Sequence, residues 1–493
     1  MPGQDDVIPS AQPPTYTGAH SHTLNAPESG HELPSYAPSR RTVSNMSRRR
    51  EEQIKEFENV IKRKGKTIVS MTMLADASFS KHIPTFLEGS PVKGRVCLNL
   101  DKPETIHSIV VSIRGTIIPG ADPNQHQTFL HIWRTLWSAE QGHPPRTNTL
   151  NEPILPVDSR VDSSHTSASS AAAAAKFKLQ GEYVWNFSLD LPKQVAVPHG
   201  RSKEIELFSL PQTFTERQAR ASIAYELLVR FARGKWQTDY RSVIFTSEEF
   251  VKHLFYRIPV TFGYIPLSRP SPFSPLRRLS YQENAPLLGP TIDLEGWHRL
   301  DPVDVNGTLF NDRVVNVKCT LYLAKPLSYT RGSLIPLSIS LESADQQCLD
   351  LLVTSKAITI RLRRRVRYHY DSQRTVGAHH LRDSVEYSDP AILWPSSEGL
   401  EDSSRRTRFM NGELHLKSDM KPSSAMADFR IEYTLTLLSF EAPGFESADN
   451  NPLIEHPVEI VTAFASGPRP RKYAPPGYES EIPVPRRFDM DPD

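Results

Sequence analysis

Two tetrapeptides of the form Pro-Pro-x-Tyr, Pro13-Pro14-Thr15-Tyr16 and Pro475-Pro476-Gly477-Tyr478, stand near opposite ends of the chain. The chemistry they offer is recognition rather than bond-making. Adjacent prolines hold the backbone near the polyproline II conformation before any partner arrives, so docking into an aromatic groove loses little conformational entropy, and the tyrosine supplies a flat anchor. This is the form of a WW-domain ligand. Leu33-Pro34-Ser35-Tyr36 is a weaker variant that rests on Pro34 and Tyr36. With 42 prolines in 493 residues a single such tetrapeptide means little. Two full copies, both in polar segments with no helix or strand pattern to bury them, favour recruitment over chance.

A second candidate is charged. In Arg361-Leu362-Arg363-Arg364-Arg365-Val366-Arg367 a strand places Arg361, Arg363, Arg365 and Arg367 on one face and Ile360, Leu362, Val366 and Tyr368 on the other, with Arg364 as the exception. Four guanidinium groups in a row suit bidentate capture of carboxylates or phosphates, on an acidic protein segment or an anionic lipid surface. A solvated sheet face paired with nearby acids, or protection of an edge strand, accounts for the same residues. Arg277-Arg278-Leu279-Ser280 and Arg40-Arg41-Thr42-Val43-Ser44 have the form of basophilic kinase sites, which makes Ser280 and Ser44 candidate phosphorylation positions.

Bond-making chemistry finds no foothold. The chain lacks Gly-x-Ser-x-Gly, a P-loop, His-Glu-x-x-His and Gly-x-Gly-x-x-Gly. The 17 histidines do not cluster with cysteines, and the side chains of His379-His380 diverge with no third ligand apparent, so neither a metal site nor a cofactor is expected. Cys97, Cys319 and Cys348 are few, odd in number and far apart, which excludes a disulfide framework and implies a reducing compartment. A net charge of +2 gives no chain-wide reason to expect nucleic acid. There is no signal peptide and no run of about 18 apolar residues, so the expectation is a soluble cytoplasmic protein.

The elements that must position these residues follow from periodicity. Residues 1–47 are rich in Pro, Ser, His and Gly and read as a disordered tail. Residues 48–65 read as a short helix, because Ile54, Phe57, Val60 and Ile61 recur at helical spacing before Gly65. Period-two alternation then begins, in Val92 to Leu100, Tyr183 to Leu191 and Ile223 to Phe231, and marks an all-β unit over residues 66–264 with a mobile insertion at 141–176. Residues 265–306 form a Pro-, Ser- and Arg-rich linker. A second strand series, including Val315 to Leu323, Ile335 to Leu341 and Phe429 to Leu437, fills residues 307–466, with a mobile insertion at 371–411; residues 467–493 are a second disordered tail. Many short strands separated by turn signals, with almost no helical period, give an all-β protein of two tandem β-sandwiches.

The order of certain landmarks resembles the arrestin family, and within it the fungal arrestin-related trafficking adaptors. They are Phe86-Leu87-Glu88-Gly89-Ser90-Pro91-Val92, Ile106 to Gly115, Leu210-Pro211-Gln212-Thr213-Phe214, Tyr225 to Arg230, Val317 to Leu323 and Tyr329-Thr330-Arg331-Gly332. The resemblance covers roughly Lys66 to Phe464. It implies immunoglobulin-like sandwiches and a non-enzymatic adaptor: the sandwiches hold a membrane cargo, through cytoplasmic segments of transporters or receptors, while Pro13, Pro14, Tyr16, Pro475, Pro476 and Tyr478 recruit a WW-domain ubiquitin ligase of the HECT type. Cargo ubiquitination and endocytosis follow, with the adaptor moving to the plasma membrane or endosomes. The buried ionic lock and releasable C-terminal strand of visual and β-arrestins find no match in the sequence. The alternatives are an arrestin-fold signalling or coat-assembly scaffold and, from another class, a β-sandwich enzyme or carbohydrate-binding module.

Overall fold

The computed structural model describes residues 53–119, 126–144, 178–199, 204–233, 255–370, 380–396, 406–448 and 452–478. The first sandwich faces a four-stranded sheet with a six-stranded one. In the smaller sheet the order is Ile54–Arg63, Lys66–Asp76, Val92–Glu104 and Leu179–Leu189. In the larger it is Thr85–Leu87, Phe255–Ile265, Ala221–Arg233, Ile106–Pro119 and Gln127–Ser138, with Phe214–Thr215 at the side of Ala221–Arg233. Alternation builds the core between them: Val92, Val96 and Leu98 point in from one sheet, and Ile109, Val111, Ile113, Leu227 and Val229 from the other, all fully buried.

The second sandwich repeats the plan with an eight-stranded sheet, in which Thr407–His415, Leu334–Glu342, Arg313–Ala324 and Val303–Leu309 are neighbours in that order. Its partner runs Ser328–Thr330, Ile454–Val461, Phe429–Leu437, Ile360–Tyr370 and His380–Tyr387. One device occurs twice. A short strand lies parallel to the last strand of its own sandwich, Thr85–Leu87 beside Phe255–Ile265 and Ser328–Thr330 beside Ile454–Val461. Each is followed by a turn through a glycine at positive φ, Gly89 or Gly332, where a side chain would be strained.

Several sequence expectations change. The helix expected over 48–65 is instead the strand Ile54–Arg63, paired antiparallel with Lys66–Asp76. The residues between them, Lys64 and Gly65, both take positive φ, the geometry of a tight hairpin turn whose twist matches the flanking strands. A short amphipathic segment is marginal as a helix, whereas a sheet edge gives every second backbone group a partner and lets Phe57 and Ile61 pack on the core.

The linker of 265–306 is ordered structure. Ser274 caps helix α1 (Pro275–Glu283), Asn284 closes it in the left-handed conformation, and the strands Trp297–Arg299 and Val303–Leu309 already belong to the second sandwich. Its polar composition conceals buried groups: Tyr281, Trp297, Arg277 and Asp293 are all under about a tenth exposed, and Asp293 accepts from Ser274 Oγ and from the Gly296 amide. The insertion at 371–411 contains the strands His380–Tyr387 and Ile392–Pro395 and the start of Thr407–His415; residues 371–379 and 397–405 lie outside the described residues. Of the insertion at 141–176, residues 145–176 lie outside them, as does the whole tail of 1–47. The other tail is not wholly free as expected, because Arg471 and Tyr473 contact Asn284, Tyr281 and Glu413; its residues 479–493 lie outside the described residues. No described helix is long and apolar enough to cross a membrane.

Candidate functional site: the seam between the sandwiches and the docked tail

Three of the landmark segments of the sequence, those around Gln212, Tyr225 and Arg331, meet at one seam. Tyr225, fully buried, donates its hydroxyl to the Pro211 carbonyl at 2.8 Å and so fixes the loop Leu210 to Phe214 against its own sandwich. From that loop two side chains cross to the second sandwich. Gln212 Oε1 accepts from Arg331 Nη1 at 3.1 Å, and the Phe214 ring meets the Phe429 ring edge-on at 5.1 Å between centroids. Both phenyl rings are about 1% exposed. Arg331 also donates to the Met420 carbonyl, and burial lowers its pKa. A further join lies on the connecting segment, where the Ser268 amide donates to Thr462 Oγ1 and Thr462 Oγ1 donates to the Pro266 carbonyl.

Over this apolar contact sits Arg364. Its guanidinium lies 5.8 Å above the Phe214 ring, donates to Glu216 of the first sandwich at 2.7 Å and to Glu386 of its own at 3.2 Å. Burial works against its charge, yet the hydrogen bond it donates to Glu216 and the two nearby carboxylates outweigh burial and raise its pKa. A cavity of about 450 Å³ opens beside it, lined by charges of both signs that include Arg217, Lys417, Asp419 and Lys421. Burial lowers the pKa of the Lys421 ammonium, which Arg331 and Arg364 repel and Glu216 and Asp419 attract. The sequence set Arg364 aside as the break in an alternating stripe. That break was the available signal, since a charge at an inward-facing strand position must find a partner, and here the partner is the other sandwich.

Three of the four arginines of the opposite face have their counter-ions within the protein. Arg363 pairs with Glu455, Arg365 with Glu432, and Arg367 makes a bidentate pair with Asp383 at 2.8 and 2.9 Å. Arg361 is half-buried with no partner for its Nε among the described residues. Cross-strand register brings these acids opposite, Glu432 against Arg365 and Asp383 against Arg367, so this sheet face is largely neutralised from within.

Ser280 is not an accessible phosphorylation site in this structure. It lies inside α1, about 5% exposed, with its hydroxyl donated to the Leu276 carbonyl, while Arg277 is buried against the Trp297 ring and donates to the Lys325 carbonyl at 2.8 Å. An amphipathic turn hides the kinase-like motif that composition alone presents as flexible. Pro13, Pro14, Tyr16, Pro34, Tyr36 and Ser44 lie outside the described residues.

The second Pro-Pro-x-Tyr motif is described. The Tyr478 amide donates to the Pro475 carbonyl at 3.2 Å and Gly477 has φ of 96°, a reverse turn with glycine where only glycine is unstrained. Pro475 is half-buried, whereas Pro476 and Tyr478 are exposed. Upstream, the Tyr473 amide donates to the Glu413 carboxylate and its ring stacks near-parallel on Tyr281 of α1, 6.4 Å between centroids. Arg471 donates to Asn284 Oδ1, at the end of the same helix. The sequence offered no sign of this docking, because its partners come from residues 281, 284 and 413.

Among the described residues no group of three or more His, Cys, Asp or Glu side chains is placed to hold a metal ion. No curated protein matches the chain. Residues 75–246, roughly a third of its length, match the family model for the N-terminal domain of arrestin (or S-antigen), and this span supports the arrestin family for the sandwich that contributes Gln212, Phe214 and Glu216 to the seam. With sheets paired twice over and almost no helix, the chain folds as arrestin-type tandem β-sandwiches.

Proposed function

We propose that this chain is an arrestin-type adaptor that links membrane cargo to a WW-domain ubiquitin ligase of the HECT type, so that cargo is ubiquitinated and internalised. One observation carries the reading: a pair of sandwiches joined across a seam is flanked by a Pro-Pro-x-Tyr tetrapeptide on each side, one of them on a short segment leading off the folded body. A body held together by Phe214, Phe429 and Arg364 is suited to presenting a fixed surface, and the two motifs are suited to gripping a ligase with several WW domains. Linked ligands raise the effective concentration of the second binding event.

The test is binding of a purified WW-domain array to the full chain and to Tyr16→Ala, Tyr478→Ala and the double variant. Each single change is expected to weaken binding by roughly tenfold or more, and the double change to nearly abolish it. Unchanged affinity in the double variant would falsify ligase recruitment through these motifs and leave an arrestin-type scaffold.

A further inference from the structure

We propose that residues 471–478 act as a latch: the groove formed by α1, Glu413 and the neighbouring tryptophans holds the tail in cis, and a WW domain must displace it to capture Pro475, Pro476 and Tyr478. The inference rests on the recruitment reading above and specifies how the second motif is regulated.

The groove is built for such a segment. Trp297, Trp394, Pro286 and Pro336 line a cavity of about 280 Å³, and Tyr473 closes one side of it. Glu413 stands within this lining, which also includes Ser396 and Asn411, with its side chain only 2% exposed. One of its oxygens contacts His415 Nε2 at 3.2 Å and the other accepts the Tyr473 amide. A carboxylate so far from water needs its donors, and leaving a buried acceptor unsatisfied is costly, so the tail amide compensates the desolvation of this oxygen in the docked state. Stacking on Tyr281 and the Arg471 to Asn284 hydrogen bond fix the same segment on its other side.

The consequence falls on the motif two residues further on. Pro475 is half-buried and the Pro475–Tyr478 hydrogen bond closes a turn, so in the latched state the leading proline does not offer its full face to an aromatic groove. A WW domain therefore binds the unlatched fraction, and its apparent affinity is reduced by that fraction. Arg471 and Lys472 are exposed even in the docked segment, and undocking frees their backbone to extend into the cleft of trypsin.

The experiment uses a single purified WW domain of the Pro-Pro-x-Tyr-binding class, with Tyr16→Ala in every full-length chain to silence the first motif. Affinity is measured for the full chain, for Glu413→Ala, Tyr281→Ala and Tyr473→Ala in it, and for synthetic peptides of residues 467–493 with and without Tyr473→Ala. The free peptide is expected to bind about tenfold more tightly than the full chain, the factor of a hydrogen bond to a buried charged group. Glu413→Ala should recover most of that difference, and Tyr281→Ala and Tyr473→Ala, which remove the ring stack but keep the amide, part of it; all three should speed tryptic cleavage at Arg471 and Lys472, while Tyr473→Ala leaves the peptide's affinity unchanged. Because Tyr473 lies in the tail, its variant reads the latch even if removal of Glu413 or Tyr281 disturbs the sandwich. Equal affinity of full chain and peptide, or no gain in any variant, overturns the latch and leaves recruitment standing. A free peptide that does not bind the WW domain overturns recruitment and the latch together.

Discussion

The strand Ile360–Tyr370 carries five arginines, and its two faces use them in opposite ways. On the outer face Arg363, Arg365 and Arg367 pair with Glu455, Glu432 and Asp383, acids of the same sandwich, at side-chain exposures of about a quarter to a third. On the inner face a single arginine, Arg364, is 15% exposed and pairs across the seam with Glu216. The stripe is the more conspicuous feature in sequence, and the lone residue has the larger structural consequence. Local water and intramolecular acids make the outer charges inexpensive and nearly interchangeable, while desolvation makes the inner one dependent on a particular partner. A charge that depends on a distant partner helps to fix how the two sandwiches sit against each other.

Removing the inner arginine should give the largest effect. Arg364→Met leaves Glu216 part-buried without its partner and removes the cation above Phe214, and is expected to cost on the order of 2–3 kcal/mol. Chemical denaturation should show the loss, and limited proteolysis at the connecting segment near Ser268 should show the seam loosening. The Glu216→Gln variant and the double variant should reveal strong coupling between the two positions; additive effects would mean that the pair does not join the sandwiches. The outer face should respond less. Charge reversal of Arg363 and Arg365 to Glu places like charges against Glu455 and Glu432, for a cost of about 1 kcal/mol per pair that shrinks at high salt. If that variant instead stays as stable as the parent yet loses binding to anionic vesicles, the outer face is a ligand surface and the contrast between the faces fails.

The smallest expected effect is a pH dependence. The Arg367 hydrogen bond and charge hold the Asp383 carboxyl below the usual carboxylate range, against a smaller opposing effect of burial. A folded-state pKa below the unfolded one means that this contribution is fully present above the unfolded value, near about 4, and is lost as pH falls through the folded value. In Arg367→Met the part of the acid sensitivity due to Asp383 should shrink, measured as the slope of stability against pH between about 5 and 2. An unchanged slope would show that the outer pairs are too well solvated to matter at all.

The sequence made the strands legible because alternation reports burial directly. Val92, Val96 and Leu98, or Ile223, Tyr225 and Leu227, occupy the inward positions that their spacing implies. It misled at the ends and joints. Ile54, Phe57, Val60 and Ile61 satisfy a helical spacing as readily as a strand, and the neighbouring edge of Lys66–Asp76 decided between them. The segment around α1 reads as a polar linker because three of its buried groups, Arg277, Ser280 and Asp293, are polar; Ser280 and Asp293 bond within the segment, and Arg277 donates to the Lys325 carbonyl, which no local pattern reveals. At the seam Gln212 and Arg331 stood within the landmark segments, but their contact spans 119 positions of sequence and so has no periodicity to report it.

By itself the sequence determined an all-β chain in two series of strands, the two Pro-Pro-x-Tyr tetrapeptides and the arginine-rich strand, since composition, alternation and short motifs are local properties. Only the tertiary structure decided that Arg364 rather than the stripe beside it bridges the sandwiches, that Ser280 is buried, and that Tyr473 rests on Glu413. The physical reason is common to all three. The free energy of a polar group is set by how much water it keeps and which partner replaces that water, and both depend on chain segments that only folding brings together.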